Sequence, residues 1–143
     1  LNMRTLGISF FVVSVVFLFS PVCRVEAQNP GEKLDMVEIA EKETERLQRL
    51  LELEDWQAFY VDSTLQHDYA AMQAELEMFQ RSKVSNVSMY VAVQDRWMET
   101  IDSTYRTIFT EDQWNAYLKS GAEKQQKARA KRKAKAEKAL EKR

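Results

Sequence analysis

Phe109-Thr110-Glu111-Asp112-Gln113-Trp114-Asn115-Ala116-Tyr117 is the stretch on which the fold turns. Thr110 and Gln113 stand at capping-box spacing: the threonine hydroxyl can accept from the backbone N–H three residues on, and the glutamine can reach back to the threonine N–H. Phe109 and Trp114 flank this cap at the spacing of a hydrophobic staple, which sets the angle at which a chain enters a helix. Glu111 and Asp112 place negative charge on the first turn, where the helix dipole favours it. The stretch therefore predicts a hinge between two helices. Its residues are structural, and nothing in the pattern reads as catalytic.

The rest of the chain agrees with helices on both sides of that hinge. Of 143 residues, 45% are hydrophobic and 30% charged, and there are only three Gly and two Pro. Both prolines, Pro21 and Pro30, lie near the start, so long helices run without their usual breakers. The fold class is all-α: about four helices forming bent antiparallel hairpins, ending in a long Ala/Lys-rich helix. Asn29-Pro30-Gly31-Glu32 has the signs of a helix start, and the first helix is expected to run to about Leu51 on Met36, Ile39, Ala40, Leu47, Leu50 and Leu51. The second carries Val61, Leu65, Tyr69, Met72, Leu76 and Phe79 as a core stripe, with Asp62, Asp68, Glu75 and Glu77 keeping the other faces wet. A hairpin tip falls within Arg81–Ser88, rich in residues that compete with helical hydrogen bonds. The third helix spans about Val87 to Ile108, with Val87, Val91, Gln94, Trp97, Ile101, Tyr105 and Ile108 on one face.

Leu51 to Tyr60 is a degenerate echo of the opening stretch. Glu54-Asp55 lines up with Glu111-Asp112, and Trp56-Gln57 is Gln113-Trp114 in reverse order. Leu53 takes the place of the cap threonine, so the echo predicts a kink and not a clean break.

Three segments follow: 1–27, 28–121 and 122–143. Leu6 to Phe19 is an almost purely apolar run behind Arg4, the composition of a signal peptide, and Val25-Glu26-Ala27 predicts cleavage after Ala27. The chain is then periplasmic or otherwise exported; the alternative is a membrane anchor or lipidation at Cys23. Cys23 is the single cysteine, so the mature chain has no disulfide and no thiolate site. From Gln28 to Leu118 there are 8 Lys/Arg against 18 Asp/Glu, and from Lys119 to Arg143 there are 11 against 3. An acidic body thus precedes a basic tail. Lys127, Arg129, Lys131, Arg132, Lys133 and Lys135 are candidates for contact with an anionic envelope surface. Export argues against nucleic acid.

Catalytic chemistry finds little support. His67 is the only histidine, and a lone imidazole makes a poor transition-metal site. No Gly-rich phosphate loop is present, and no serine has a histidine partner that spacing supports. The expectation is a non-enzyme without metal or cofactor. Five methionines and eleven aromatics follow Ala27, more than a small helical body must bury. They fill either a core and dimer interface or an exposed groove for unfolded chains.

The signal-like start, the small cysteine-free helical body and the hinge motifs together resemble the Spy/CpxP family of periplasmic stress proteins, marked by a Leu-Thr-x-x-Gln motif. Phe109-Thr110-Glu111-Asp112-Gln113 matches it with Phe for Leu. Leu53-Glu54-Asp55-Trp56-Gln57 matches loosely, without the Thr and, as aligned above, with its Gln one place late. The chain is also similar to small exported helical proteins of Bacteroidetes that end in Lys/Ala tails. The resemblance implies a dimer of bent hairpins that binds unfolded or partly folded envelope proteins without ATP. The motif residues Leu53, Trp56, Gln57, Phe109, Thr110, Gln113 and Trp114 would be structural there. The family's cradle is typically basic, unlike this acidic body.

Overall fold

In a computed structural model the described residues are 35–142, and all their regular structure is helical. The proposed signal segment, Cys23 and the helix start at Asn29 lie outside these residues. Helix α1 spans Met36–Leu51, α2 Asp55–Arg81, α3 Val87–Ile108, α4 Glu111–Tyr117 and α5 Glu123–Glu141. A widened turn over Leu118–Ala122 joins α4 to α5. There Gly121 has φ 118°, a region that only glycine enters without strain.

Each junction has a local chemical cause. Asp35 caps α1 by accepting from Val37 N–H at 2.9 Å, and Asn86 caps α3 by accepting from Ser88 N–H at 3.0 Å. Helix α1 stops because Glu52 turns left-handed, with φ 51°. Leu53 N–H then bonds back to the Gln48 carbonyl at 3.2 Å, a Schellman closure. The end of α2 repeats this device: Lys83 has φ 54° and Val84 N–H reaches the Phe79 carbonyl at 3.0 Å. The junction at Leu53 is thus a clean break between two helices. The kink expected there is overturned because Glu54, in place of a threonine, supplies the helix start.

Helix α1 packs on α2 and α4, α2 on α3, and α3 on α5. The core draws on every helix but α5: Ala40, Leu47, Leu51, Leu53, Val61, Leu65, Ile101, Tyr105, Phe109, Tyr117 and Ala122. Leu47, Val61, Leu65 and Ile101 are almost wholly enclosed, each contributing about 1.5–3 kcal/mol by leaving water. The expected stripe of α2 does face inward, with Val61 and Leu65 fully buried. Two positions of the expected faces do not: Leu50 and Val87 are exposed, and Val93 is buried in α3 instead.

The acidic residues of α2 are not its wet side either. Asp68 is buried and contacts His67 Nδ1 at 2.8 Å. Glu75 is pinned to α3, accepting from Arg96 at 2.6 Å and from Trp97 Nε1 at 3.0 Å. Those two bonds, Trp97 foremost, hold its carboxyl below the usual range. Of these acids Glu75 alone is tied to another helix; Asp62 and Glu77 bond to Gln66 and Gln73 of α2 itself.

Body and tail belong to one compact unit, Lys33–Arg143. The division drawn at Ala122 is therefore not a break in packing, since Ala122 and Arg129 are both buried.

Candidate interaction surface

Two hinges meet in the interior through their glutamines. Gln113 Oε1 accepts from Thr110 N–H at 3.0 Å, and Thr110 Oγ1 accepts from Gln113 N–H at 3.3 Å. Gln57 Oε1 likewise accepts from Glu54 N–H at 3.0 Å. A backbone N–H can only donate, so each contact fixes which end of the amide is oxygen. The two NH2 groups then point at each other's oxygen: Gln57 Nε2 donates to Gln113 Oε1 at 2.7 Å, and Gln113 Nε2 to Gln57 Oε1 at 3.0 Å. The result is the cyclic pair of a primary-amide dimer. Gln57 adds a bond to the Ile108 carbonyl at 3.0 Å, satisfying one of the open carbonyls at the end of α3.

This pairing corrects the register of the echo. Gln57 aligns with Gln113, Glu54 with Thr110 and Leu53 with Phe109, so the glutamine is in place and not one residue late. Leu53 and Phe109 are each only 6% exposed. Phe109 packs on Tyr105 and Tyr117 with ring centres 5.0 and 5.8 Å apart, and Tyr117 continues to Trp114 at 5.5 Å. Trp114 also carries the Arg106 guanidinium at 5.3 Å. Trp56 lies elsewhere. It is 52% exposed, with its indole N–H donated to Glu54 Oε2 at 2.6 Å.

Trp56 opens the most unusual surface of the molecule. The exposed positions of α2 between its ends are Trp56, Phe59, Tyr60, Ser63, His67, Ala70, Ala74, Met78 and Gln80. None is Asp, Glu, Lys or Arg, in a chain that is 30% charged. Apart from Phe59 and Gln80, successive positions are three or four apart, so they form one stripe along the helix. Phe59 is 66% exposed, Tyr60 54% and Met78 53%. The rings of Trp56 and Phe59 both stand edge-on to Tyr60, with centroids 6.3 and 5.7 Å away. Helix α2 therefore has an inward apolar face and an uncharged outer one, and only the first is used inside the molecule. The sequence carried a sign of this: its charged residues cluster at positions that leave a second uncharged stripe.

The basic tail is divided just as sharply. On α3, Asp95, Glu99 and Asp102 form a stripe, and cations of α5 answer each of them. Arg129 pairs with Asp102, Lys133 with Glu99 at 3.5 Å, and Arg132 with Asp95 through two bonds of 2.7 Å. Arg129 is therefore no surface contact: it is 6% exposed, drawn in by a buried carboxylate that also accepts from the Tyr117 hydroxyl at 2.7 Å. Burial pushes the Asp102 carboxyl up, against the opposing pull of Tyr117, Arg129 and Gln126. Breaking so enclosed a pair from one side costs about 3–5 kcal/mol.

Of the other tail candidates, Arg132 and Lys133 are half committed to α3, and Lys127 pairs with Glu123 on its own helix. Lys131 and Lys135 project to solvent. They belong to a longer exposed stripe of Lys124, Lys127, Lys131, Lys135, Lys138 and Lys142, again spaced by threes and fours.

A shallow cleft of about 540 Å³ lies beside the α3–α5 ion pairs, lined by Glu99, Asp102, Ser103, Arg106, Trp114, Gln126 and Arg129. Its serine hydroxyl donates to the Glu99 carbonyl of its own helix at 2.8 Å, and its buried charges are spent on each other. That arrangement holds helices together and prepares no nucleophile. Among the described residues no three or more His, Cys, Asp or Glu side chains gather into a possible metal site. None of the described helices is long and apolar enough to cross a membrane. His67 is largely in solvent, its side chain 78% exposed. No family model matches the chain, and no curated protein or solved structure matches it.

Proposed function

We propose that this chain is an exported, non-enzymatic, chaperone-like envelope-stress protein that binds apolar stretches of unfolded or partly folded envelope proteins without ATP. The observation that carries this reading is the uncharged outer face of α2, with Trp56, Phe59 and Tyr60 at one end and Met78 at the other. Flat aromatic surface and an adaptable thioether suit many apolar sequences better than one shape. Export rests on the apolar run Leu6–Phe19. The test is aggregation of a chemically denatured client: the chain from Gln28 onward should suppress it at near-stoichiometric ratio, and Phe59→Ser with Tyr60→Ser should remove most of the effect. Full-strength aggregation at several-fold excess of the unaltered chain would sink the proposal.

A second reading has its own support in the lysine stripe of α5: a structural protein docking on an acidic envelope surface. Replacing Lys131, Lys135, Lys138 and Lys142 by Gln would then abolish salt-sensitive binding to anionic vesicles while leaving client protection intact. Unchanged vesicle binding would exclude that use of the tail.

A further inference from the structure

The hairpin tip between α2 and α3 has a composition unlike the rest of the body, and we infer that it docks on the surface of an anionic lipid bilayer. From Met78 to Gln94 there is no Asp or Glu, and Arg81 and Lys83 are the only charged residues. All 18 acids of the stretch from Gln28 to Leu118 lie outside that run. Both cations are exposed. The acids that border the run in sequence are already taken, Glu77 by Arg81 and Gln73 and Asp95 by Arg132. Helix α3 has no acid in its first turn, so the positive end of its dipole adds to the two cations.

The same tip leaves apolar side chains in water. Val87 is 60% exposed, Met78 53% and Met89 43%. None of them is needed to close the turn. Val84 N–H bonds to the Phe79 carbonyl at 3.0 Å, and the Tyr90 hydroxyl donates to the Val84 carbonyl at 2.8 Å. The rings of Phe79 and Tyr90 brace the turn from inside, edge-on with centroids 5.6 Å apart. Cations flanked by exposed apolar side chains suit a headgroup layer lying over hydrocarbon. A hydrated polyanion would satisfy the cations and leave Val87 and Met89 in water.

The charge is arranged end to end. Glu52, Glu54, Asp55, Glu111 and Asp112 are exposed at the two hinges, which the amide pair holds together. Helix α2 has 27 residues, so about 40 Å of helix separates those acids from the tip. That is several Debye lengths at physiological ionic strength, and a bilayer touched by the tip does not feel them. At low salt their repulsion from the same bilayer turns the molecule tip-first.

This surface goes beyond both readings above, since it uses neither the aromatic end of α2 nor the lysines of α5. A pair of cations with a few apolar side chains gives weak, reversible attachment. The test uses the chain from Gln28 onward, which contains the compact unit Lys33–Arg143 and no cysteine, with an environment-sensitive fluorophore on Val87→Cys. Phosphatidylcholine vesicles containing phosphatidylglycerol should shift its emission to the blue, and phosphatidylcholine alone should not. The same fluorophore on Asp112→Cys should stay in water. In flotation, Arg81→Gln with Lys83→Gln should weaken binding to the mixed vesicles at least ~10-fold. Val87→Ser with Met89→Ser should do the same, and both variants should keep their helical content and client protection. Replacing the four α5 lysines by Gln should leave the blue shift in place. A chain that does not float with the mixed vesicles overturns the inference, as does an equal shift at Asp112→Cys. Flotation with the Val87→Cys fluorophore unshifted removes the tip and leaves the lysine stripe. An equal shift with polyphosphate in place of vesicles overturns the bilayer as the partner.

Discussion

The two hinges solve the same backbone problem with the same glutamine, and they spend their aromatic residues in opposite ways. After Gln113 the chain buries its rings: Tyr117 packs on Tyr105, Phe109 and Trp114, and its hydroxyl holds Asp102. Around Gln57 it leaves Trp56, Phe59 and Tyr60 in water. Capping, break and amide pairing are complete at both hinges, so the exposed rings serve no need of the fold at the first. Apolar surface that the fold does not require is the surface to assign to a partner.

That comparison breaks hardest at the shared amide pair. Gln57→Ala should cost about 3 kcal/mol, because it strands the Glu54 N–H, the Ile108 carbonyl and the Gln113 amide together. Gln113→Ala should cost about 2 kcal/mol, and the double variant less than the sum, as chemical denaturation of all four proteins would reveal. Additive losses would mean that the two hinges act independently. A smaller effect separates the two sets of aromatics. Tyr117→Phe removes a buried hydroxyl from Asp102 and should cost about 1.5 kcal/mol, whereas Tyr60→Phe should stay within about 0.5 kcal/mol. Equal losses would place Tyr60 inside the fold after all. The caps give the smallest effects: Thr110→Ala should lose about 1 kcal/mol, while Glu52→Gly should gain up to about 1 kcal/mol by relieving a left-handed residue with a side chain. Thermal melts would register both, in opposite directions.

What could be read from the sequence was whatever lay within a few residues. The Thr110–Gln113 cap is local chemistry and was plain. Its counterpart was misaligned by one residue because glutamate is outside the usual set of caps, which drew attention to Leu53 as the site of a missing threonine. The pairing of Gln57 with Gln113 spans 56 residues, and no periodicity announces it. The inward stripe of α2 followed from spacing. Its outer stripe was equally visible in spacing, but a surplus of aromatics gives no sign of which side they occupy. Arg129 was misplaced because one arginine in a run of cations looks like its neighbours. Only the position of Asp102 on α3 distinguishes it.

The amide ring has a consequence for observing the molecule. Side-chain NH2 protons ordinarily trade with solvent quickly, and those of a surface glutamine are uninformative. Here each NH2 of Gln57 and Gln113 gives a proton to the opposite oxygen, with Gln57 98% shielded from water. These protons should resonate apart from those of the other glutamines and exchange only when both hinges open together. The pair is a built-in reporter: two signals that vanish in step with global unfolding and stay sharp while the outer stripe of α2 or the end of α5 is gaining or losing a partner.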